Sequence, residues 1–342
     1  MGRLIHIDFL KGLAIFLMVM GHVLSWSMDA SGCPRTVNSW FVREVIYSFH
    51  MPLFMFMSGY VIDLKNKIWD GAVSQKAVSS RLRTLVLPCV SFKVLGIMMT
   101  LLAGGNIIIN GECPWFLRAL FEIVLVFTII KWIAHKLGGH KTIIELLCYA
   151  LGYCLIFCLT RLYRDTVVDE WVNFTQFQIM YPYFVLGYLF RKYEQKNHSD
   201  SLYTAMIIIY AIAFYFYQYR ALAPSYHSIL RYVLAVAGIY IVYQLAINFC
   251  KKDNKVVKVF SYMGIHSIEI YLLSNYFIPR CPQMVKLIYE TSLQANEYLA
   301  TSIFLQLVFG LVLSIYCVLC CLLVAKIVER SHILGLLFFG RK

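Results

Sequence analysis

Apolar runs recur along this chain at residues 7–27, 42–62, 84–103, 115–134, 143–160, 177–190, 202–219, 229–249, 259–279 and 299–325. Most approach the roughly 20 residues that an α-helix needs to cross a hydrocarbon core. A helix also bonds its backbone polar groups internally, as a bilayer requires. The pattern predicts an all-α fold: a polytopic membrane helical bundle of about ten transmembrane helices, forming a single integral-membrane domain over residues 1–342.

Polar residues interrupt the runs in an ordered way. The first, IDFLKGLAIFLMVMGHVLSW (Ile7–Trp26), carries Asp8, Lys11 and His22. On a helix, Lys11 and His22 fall about 20° apart around the axis and roughly 16 Å apart along it, and Asp8 lies within about 40° of His22. Ionisable groups at membrane depth are costly and mark a function by default. The stripe suits a long, thin ligand with an anionic end and a reactive end.

The second run, FVREVIYSFHMPLFMFMSGYVID, places His50 at a depth comparable to that of His22. An interhelical hydrogen bond is the plainer reading of His50. Pro52 removes a backbone donor, and Ser58-Gly59 offers a small surface for close helix approach. The 64–83 loop ends in SSRLRTLVLP, where Arg81 and Arg83 stand at the membrane boundary. They fit a positive-inside anchor or a phosphate clamp, since guanidinium binds phosphate bidentately. In the fourth run Pro114 suits a helix start and Trp115 an interfacial belt. Glu122, about two turns further in, could orient a histidine or accept a sugar hydroxyl; pairing with Arg118 is the plainer alternative. The outward loop 161–176 offers Asp165, Asp169, Glu170 and Trp171 to a hydroxyl-rich substrate. The ninth run holds Glu269 near mid-membrane, with Tyr271 close in sequence.

Composition fits this picture. The chain is 60% hydrophobic and 14% charged, against about a quarter charged in soluble domains. Its net charge of +13 would suit nucleic acid if it formed a patch. Instead the basic residues gather in alternate loops: Arg3; Lys65, Lys67, Lys76, Arg81 and Arg83; Lys131, Lys136 and Lys141; Arg191, Lys192 and Lys196; Lys251 to Lys258; and Lys326 to Lys342. The positive-inside rule makes these loops and both termini cytoplasmic, and the charge reads as topology with no nucleic-acid partner. Arg35, Arg43 and Arg220 fall on the opposite side. Eleven cysteines form no zinc pattern and no metal is expected. Cys33, Cys113 and Cys281 lie in outward loops compatible with at most one disulfide. The first run is too long and too polar for a cleaved signal peptide, and no soluble domain is expected.

Together these segments resemble the acyltransferase-3 family of integral-membrane O-acyltransferases, close to the fucose-4-O-acetylase-like group. Asp8-Phe-Leu-Lys11 followed by ten residues and His22 matches D-x-x-[RK]-x10-H, with Lys11 where arginine is common. FHMPLFMFMSGY matches F-x-M-P-L-F-F-F-x-S-G-Y. RLRTLVLP, PWFLRALF and SIEIYLLSNYF resemble further elements, although Ser274 stands where that last segment often has histidine.

The resemblance implies transfer of an acetyl or other acyl group from cytoplasmic acyl-CoA to an extracytoplasmic hydroxyl. The acceptor would be a surface or capsular polysaccharide or a lipid-linked sugar, at a bacterial inner membrane. On that reading Asp8, Lys11, Arg81 and Arg83 serve the acetyl-CoA donor, and His22, His50 and Glu122 the chemistry, with His22 as general base. Ser58, Trp115, Glu269 and Tyr271 are candidates for the acceptor. Homo-oligomerisation is compatible with this reading. A polysaccharide exporter or flippase, or a ligand-binding membrane module, are the competing classes; neither requires Lys11-x10-His22.

Overall fold

The computed structural model describes residues 4–34, 36–63, 69–102, 114–137, 142–193, 200–219, 223–252, 254–293 and 299–341. Arg3, Arg35, Lys65, Lys67, Cys113, Lys141, Lys196, Arg220 and Lys342 lie outside these, as do the side chains of Glu170 and Trp171. The only regular secondary structure among the described residues is helix, without strands. In order the helices are α1 (Ile5–Ser31), α2 (Val37–Ile62), α3 (Gly71–Arg81), α4 (Leu87–Leu102), α5 (Trp115–Lys136), α6 (Thr142–Tyr163), α7 (Val167–Val172) and α8 (Phe174–Tyr193). They continue as α9 (Asp200–Tyr219), α10 (Pro224–Phe249), α11 (Lys255–Ile265), α12 (Ser267–Phe277), α13 (Pro282–Leu293), α14 (Leu299–Val328) and α15 (His332–Phe339).

Among the described residues, seven spans are long and apolar enough to cross a membrane, or eight if the bent pair α11–α12 is one span. The fourth and sixth expected spans do form helices, α5 and α8, of 22 and 20 residues. Arg118, Glu122 and Lys131 make α5 polar, and a run of Thr, Gln, Tyr and Pro does the same for α8. The third span begins earlier than the hydrophobic pattern suggests. Asp70 caps α3 by accepting from the Val73 N–H at 2.8 Å, so helix replaces the expected loop from Gly71. A π-helical turn, Leu82–Val86, joins α3 to α4.

The chain forms two compact units, Met1–Met57 with Glu194–Ala325, and Ser58–Tyr193 with Lys326–Lys342. In the first, α1 is the inner helix: 72% of its membrane window is buried, against 11% for α9 and 33% for α14. It packs chiefly on α11, and two glycines set how closely. A Cβ on Gly12 would stand 1.8 Å from the Phe260 carbonyl oxygen, and one on Gly264 would stand 1.8 Å from that of Asp8. The backbones therefore touch, as small residues permit in membranes, and Phe260 fits between Phe9 and Phe16 at 5.5 and 5.8 Å. After this crossing the ninth run bends by 82° at His266. His266 stands at this break, 3.9 Å from Glu269. Glu269 is buried in the first turn of α12, where a helix N-terminus favours a carboxylate.

Buried Gln306 of α14 works its way into α2. Its Nε2 donates to the Asn38 carbonyl at 2.8 Å, and its Oε1 accepts from the Val42 N–H at 3.1 Å. The side chain thus bridges two groups that would otherwise bond to each other along the helix. Arg43 follows directly. It belongs to α2, as the second run expects, near that helix's N-terminal end.

The second unit is tied by a buried carboxylate. Glu145 of α6 pairs with Lys131 of α5 at 2.9 Å and with Lys192 of α8. It also accepts from the hydroxyls of Tyr188 and Tyr149 at 2.7 and 3.1 Å. Gly59 packs against the Phe184 carbonyl, which a Cβ there would approach to 1.9 Å; Ser58-Gly59 is thus a close-approach surface. Glu145→Leu is expected to destabilise the protein by about 3 kcal/mol, the low end for removing one partner of a buried pair, because Lys192 is 34% exposed. A fall of several degrees in the thermal midpoint of the purified protein checks this.

Candidate active site

Four candidate residues belong to the first unit's α1 and α2. On α1, Asp8, Lys11 and His22 are half-buried on one face, as is Trp26 one turn beyond. The stripe is therefore real, but it is interrupted. Ile15, Met18 and Val19, which fall on the same face between Lys11 and His22, are fully packed. The polar groups form two half-buried patches separated by a buried apolar turn.

The second patch centres on His22. Its ring stacks on Trp26, with centroids 5.5 Å apart and planes within 8°. Neither ring nitrogen has a hydrogen-bond partner among the described residues, and Nδ1 is buried. Tyr47 of α2 stands between the two histidines, 6.4 Å from His22 and 4.9 Å from His50 by ring centroids. The structure thus brings together the two histidines that the sequence placed at one depth.

His50 is 2% exposed, and its Nδ1 lies 2.8 Å from the Ile46 carbonyl of its own helix. A carbonyl only accepts, so Nδ1 carries the hydrogen and Nε2 of the neutral ring is left as a base. The bond runs within α2, where the simpler sequence reading had it between helices. His22 has no such fixed tautomer.

The sequence reading missed the rim of this patch. Arg43 lies 3.6 Å over the Tyr47 ring and 4.8 Å from that of Trp40. Its Nε donates to Ser25 Oγ at 3.1 Å, and it pairs with Glu44. Arg280 faces Trp26 at 5.8 Å, on a segment tied to α1 by the Cys281 N–H donating to Ser27. One turn of α2 separates Arg43 from Tyr47, and that i, i+4 relation was the available signal. Cys33 and Cys281 are free thiols.

The other candidates divide between the units. Glu269 and Tyr271 lie on α12, buried and half-buried respectively. In the second unit Glu122 has a buried Oε2 without a hydrogen-bond partner among the described residues. Trp115 packs edge-on against Phe116 at 6.0 Å, and Ser58 is half-buried. Arg81 ends α3, and Arg83 sits in the π-helical turn with a buried Nε that has no hydrogen-bond partner among the described residues. π-helical turns of this kind are frequent at functional sites. Gly340 seals that turn: a Cβ on it would stand 2.4 Å from the Arg83 carbonyl, and its φ of +65° favours glycine.

Residues 4–326 match the sequence profile of the family described as "Acyltransferase domain" (Acyl_transf_3). The chain belongs to that family. The match carries the expected acyltransferase domain across nearly the whole chain, on helices apolar enough to cross a membrane. The chain is also similar to two proteins named "Nodulation protein NolL". That of Sinorhizobium fredii (strain NBRC 101917 / NGR234) is 27% identical over 227 residues, covering 59% of this chain and 52% of that protein. That of Mesorhizobium japonicum (strain LMG 29417 / CECT 9101 / MAFF 303099) is 27% identical over 207 residues, covering 55% and 48%. The chain thus spans about half the length of these curated relatives. No solved structure matches it.

Proposed function

We propose that this acyltransferase domain moves an acetyl group from cytoplasmic acetyl-CoA to a hydroxyl of an extracytoplasmic sugar, with His22 as general base. One observation carries the reading. Within the family match, a half-buried imidazole with no hydrogen bond of its own stands beside a second, tautomer-fixed histidine in an aromatic patch. Such a ring is ready to take a proton from an attacking hydroxyl. Both units are read as one catalytic domain, because the family match crosses both.

Acetyl-CoA would bring phosphates at one end and a thioester at the other. Lys11 is the first unit's candidate for the phosphates, and Arg81 and Arg83 are the second unit's. Asp8 stands one turn from Lys11 and serves to orient it. The pantetheine arm does not follow the α1 face as it stands, since Ile15, Met18 and Val19 close it. The acceptor is read as a surface or capsular polysaccharide, or its lipid-linked precursor, at a bacterial inner membrane with both termini cytoplasmic. Ser58, Trp115, Glu269 and Tyr271 stay candidates for acceptor contacts, and Glu122 for a supporting catalytic role.

The test is NMR of O-acetyl groups on the surface polysaccharide of a strain lacking this protein. Loss of one acetyl signal, restored by complementation, is expected and names the modified sugar. Unchanged acetylation with less polysaccharide at the surface would replace transfer by export. The phosphate assignment has its own check in Gly340→Val, which displaces the Arg83 backbone. It is expected to raise KM for acetyl-CoA about tenfold, with kcat close to wild type, as loss of uniform binding does.

A further inference from the structure

We infer that the Tyr47 hydroxyl is a catalytic hydrogen-bond donor that holds the thioester carbonyl oxygen of the acyl donor, and that Ser25 and Arg43 are the residues that aim it. The inference rests on the transferase reading of the same patch and adds the group that would stabilise the developing oxyanion.

Arg43 Nε–H donates to Ser25 Oγ at 3.1 Å. Ser25 in turn donates its hydroxyl hydrogen to Tyr47 Oη at 3.4 Å. A guanidinium only donates, and the geometry at Ser25 Oγ makes that hydroxyl the donor to Tyr47. Tyr47 Oη therefore receives a hydrogen bond, and its own hydrogen has no acceptor among the described residues. The guanidinium also stands 3.6 Å over the phenol ring. A cation on the ring face and a donor on the oxygen both polarise the remaining O–H. The Tyr47 ring lies 6.4 Å from that of His22 and 4.9 Å from that of His50 by ring centroids, beside the base that the reaction needs.

The neighbouring backbone supports a positional role. A Cβ on Gly21 would lie 2.5 Å from Tyr47 Cε2, so the phenol ring lies flush on α1 at the residue before His22. Glu44 pairs with Arg43 and receives Gln218 Nε2 at 3.4 Å, and this holds the guanidinium in place.

The step balances as ordinary acyl transfer. The acceptor oxygen forms a bond to the thioester carbon as its proton passes to the imidazole. The carbonyl electron pair moves onto oxygen, where Tyr47 O–H donates to it. Collapse restores the carbonyl and expels the C–S bonding pair as thiolate, which takes the proton from the imidazolium. The products are an ester and free CoA thiol. Removing a single oxyanion donor of this kind costs about 10²- to 10³-fold in rate.

Tyr47→Phe keeps the ring, its packing and the cation above it, and deletes only the donor. The probe is acetyl-CoA carrying ¹³C at the carbonyl, added to purified full-length protein in proteoliposomes. Thiol release and the carbonyl stretching frequency of the bound thioester are both read. In wild type the band is expected below that of free acetyl-CoA. Tyr47→Phe should return it to the free value and slow thiol release about 10²-fold with KM for acetyl-CoA unchanged. Ser25→Ala and Gly21→Ala, which leave the hydroxyl present but mis-aimed, should give partial band shifts. A variant Tyr47→Phe that retains wild-type turnover and band position overturns the inference while the transferase reading stands. Wild type that neither binds acetyl-CoA nor releases thiol removes the reading on which it rests.

Discussion

Replacing His22 with alanine is expected to lower acyl transfer by about 10²- to 10⁴-fold, the range for a lost general base, while the protein stays folded in the membrane. The structure separates these two effects. His22 makes no hydrogen bond among the described residues, so truncation leaves no partner unsatisfied. What is lost from the fold is chiefly the stack on Trp26, worth about 0.5–1.5 kcal/mol for an aromatic pair. O-acetyl content by NMR in cells complemented with His22→Ala, alongside membrane abundance of the variant, measures both. Normal abundance with acetyl signal at the level of the deletion strain is the expected result. Full acetylation by the variant would remove His22 from the mechanism. His50→Ala is less clean, because that ring is buried and bonded to Ile46.

Gly264→Val is expected to abolish folding of the first unit. The α1–α11 crossing is backbone against backbone: a Cβ on Gly264 falls 1.8 Å from the Asp8 carbonyl oxygen and 2.9 Å from the Gly12 nitrogen. No side-chain rotation relieves a clash with main-chain atoms. The helices would have to separate, and Phe260 would leave its place between Phe9 and Phe16. Overpacking a well-packed core typically costs about 1–3 kcal/mol, occasionally more, and here the obstruction is immovable. Membrane abundance and thermal melting of Gly264→Val against wild type check this. A variant with wild-type melting behaviour would show that α1 and α11 do not meet at these residues. Gly264→Ala should fall between the two, since even one methyl exceeds the space.

Much of the candidate site was legible in the sequence because helical spacing translates directly into faces. Asp8, Lys11 and His22 lie on one side of α1 because 3.6 residues per turn puts them there. Comparable insertion depth put His22 and His50 at one level, where both rings lie near Tyr47. Two features escaped for a physical reason. Arg43 looked like one basic residue among many at a span boundary, since a charge near a membrane end reads as topology. Its chain to Ser25 and Tyr47 depends on how α1 and α2 lie together, which no local pattern encodes. Likewise the break at His266 sits inside a continuous apolar run, and hydropathy does not register an 82° turn.

Composition and hydrophobic period by themselves determined the class of fold and most of the helices, because lipid demands long, internally bonded helices. They also determined the family, through short motifs fixed by local chemistry. Tertiary structure alone decided which helix is innermost, that the α1 stripe is interrupted by Ile15, Met18 and Val19, and that Gln306 bridges Asn38 and Val42. It likewise decided that Glu145 gathers Lys131 and Lys192. Each of these depends on contacts between residues far apart in the chain. A one-dimensional pattern gives the face on which a group lies, and packing decides what it meets there.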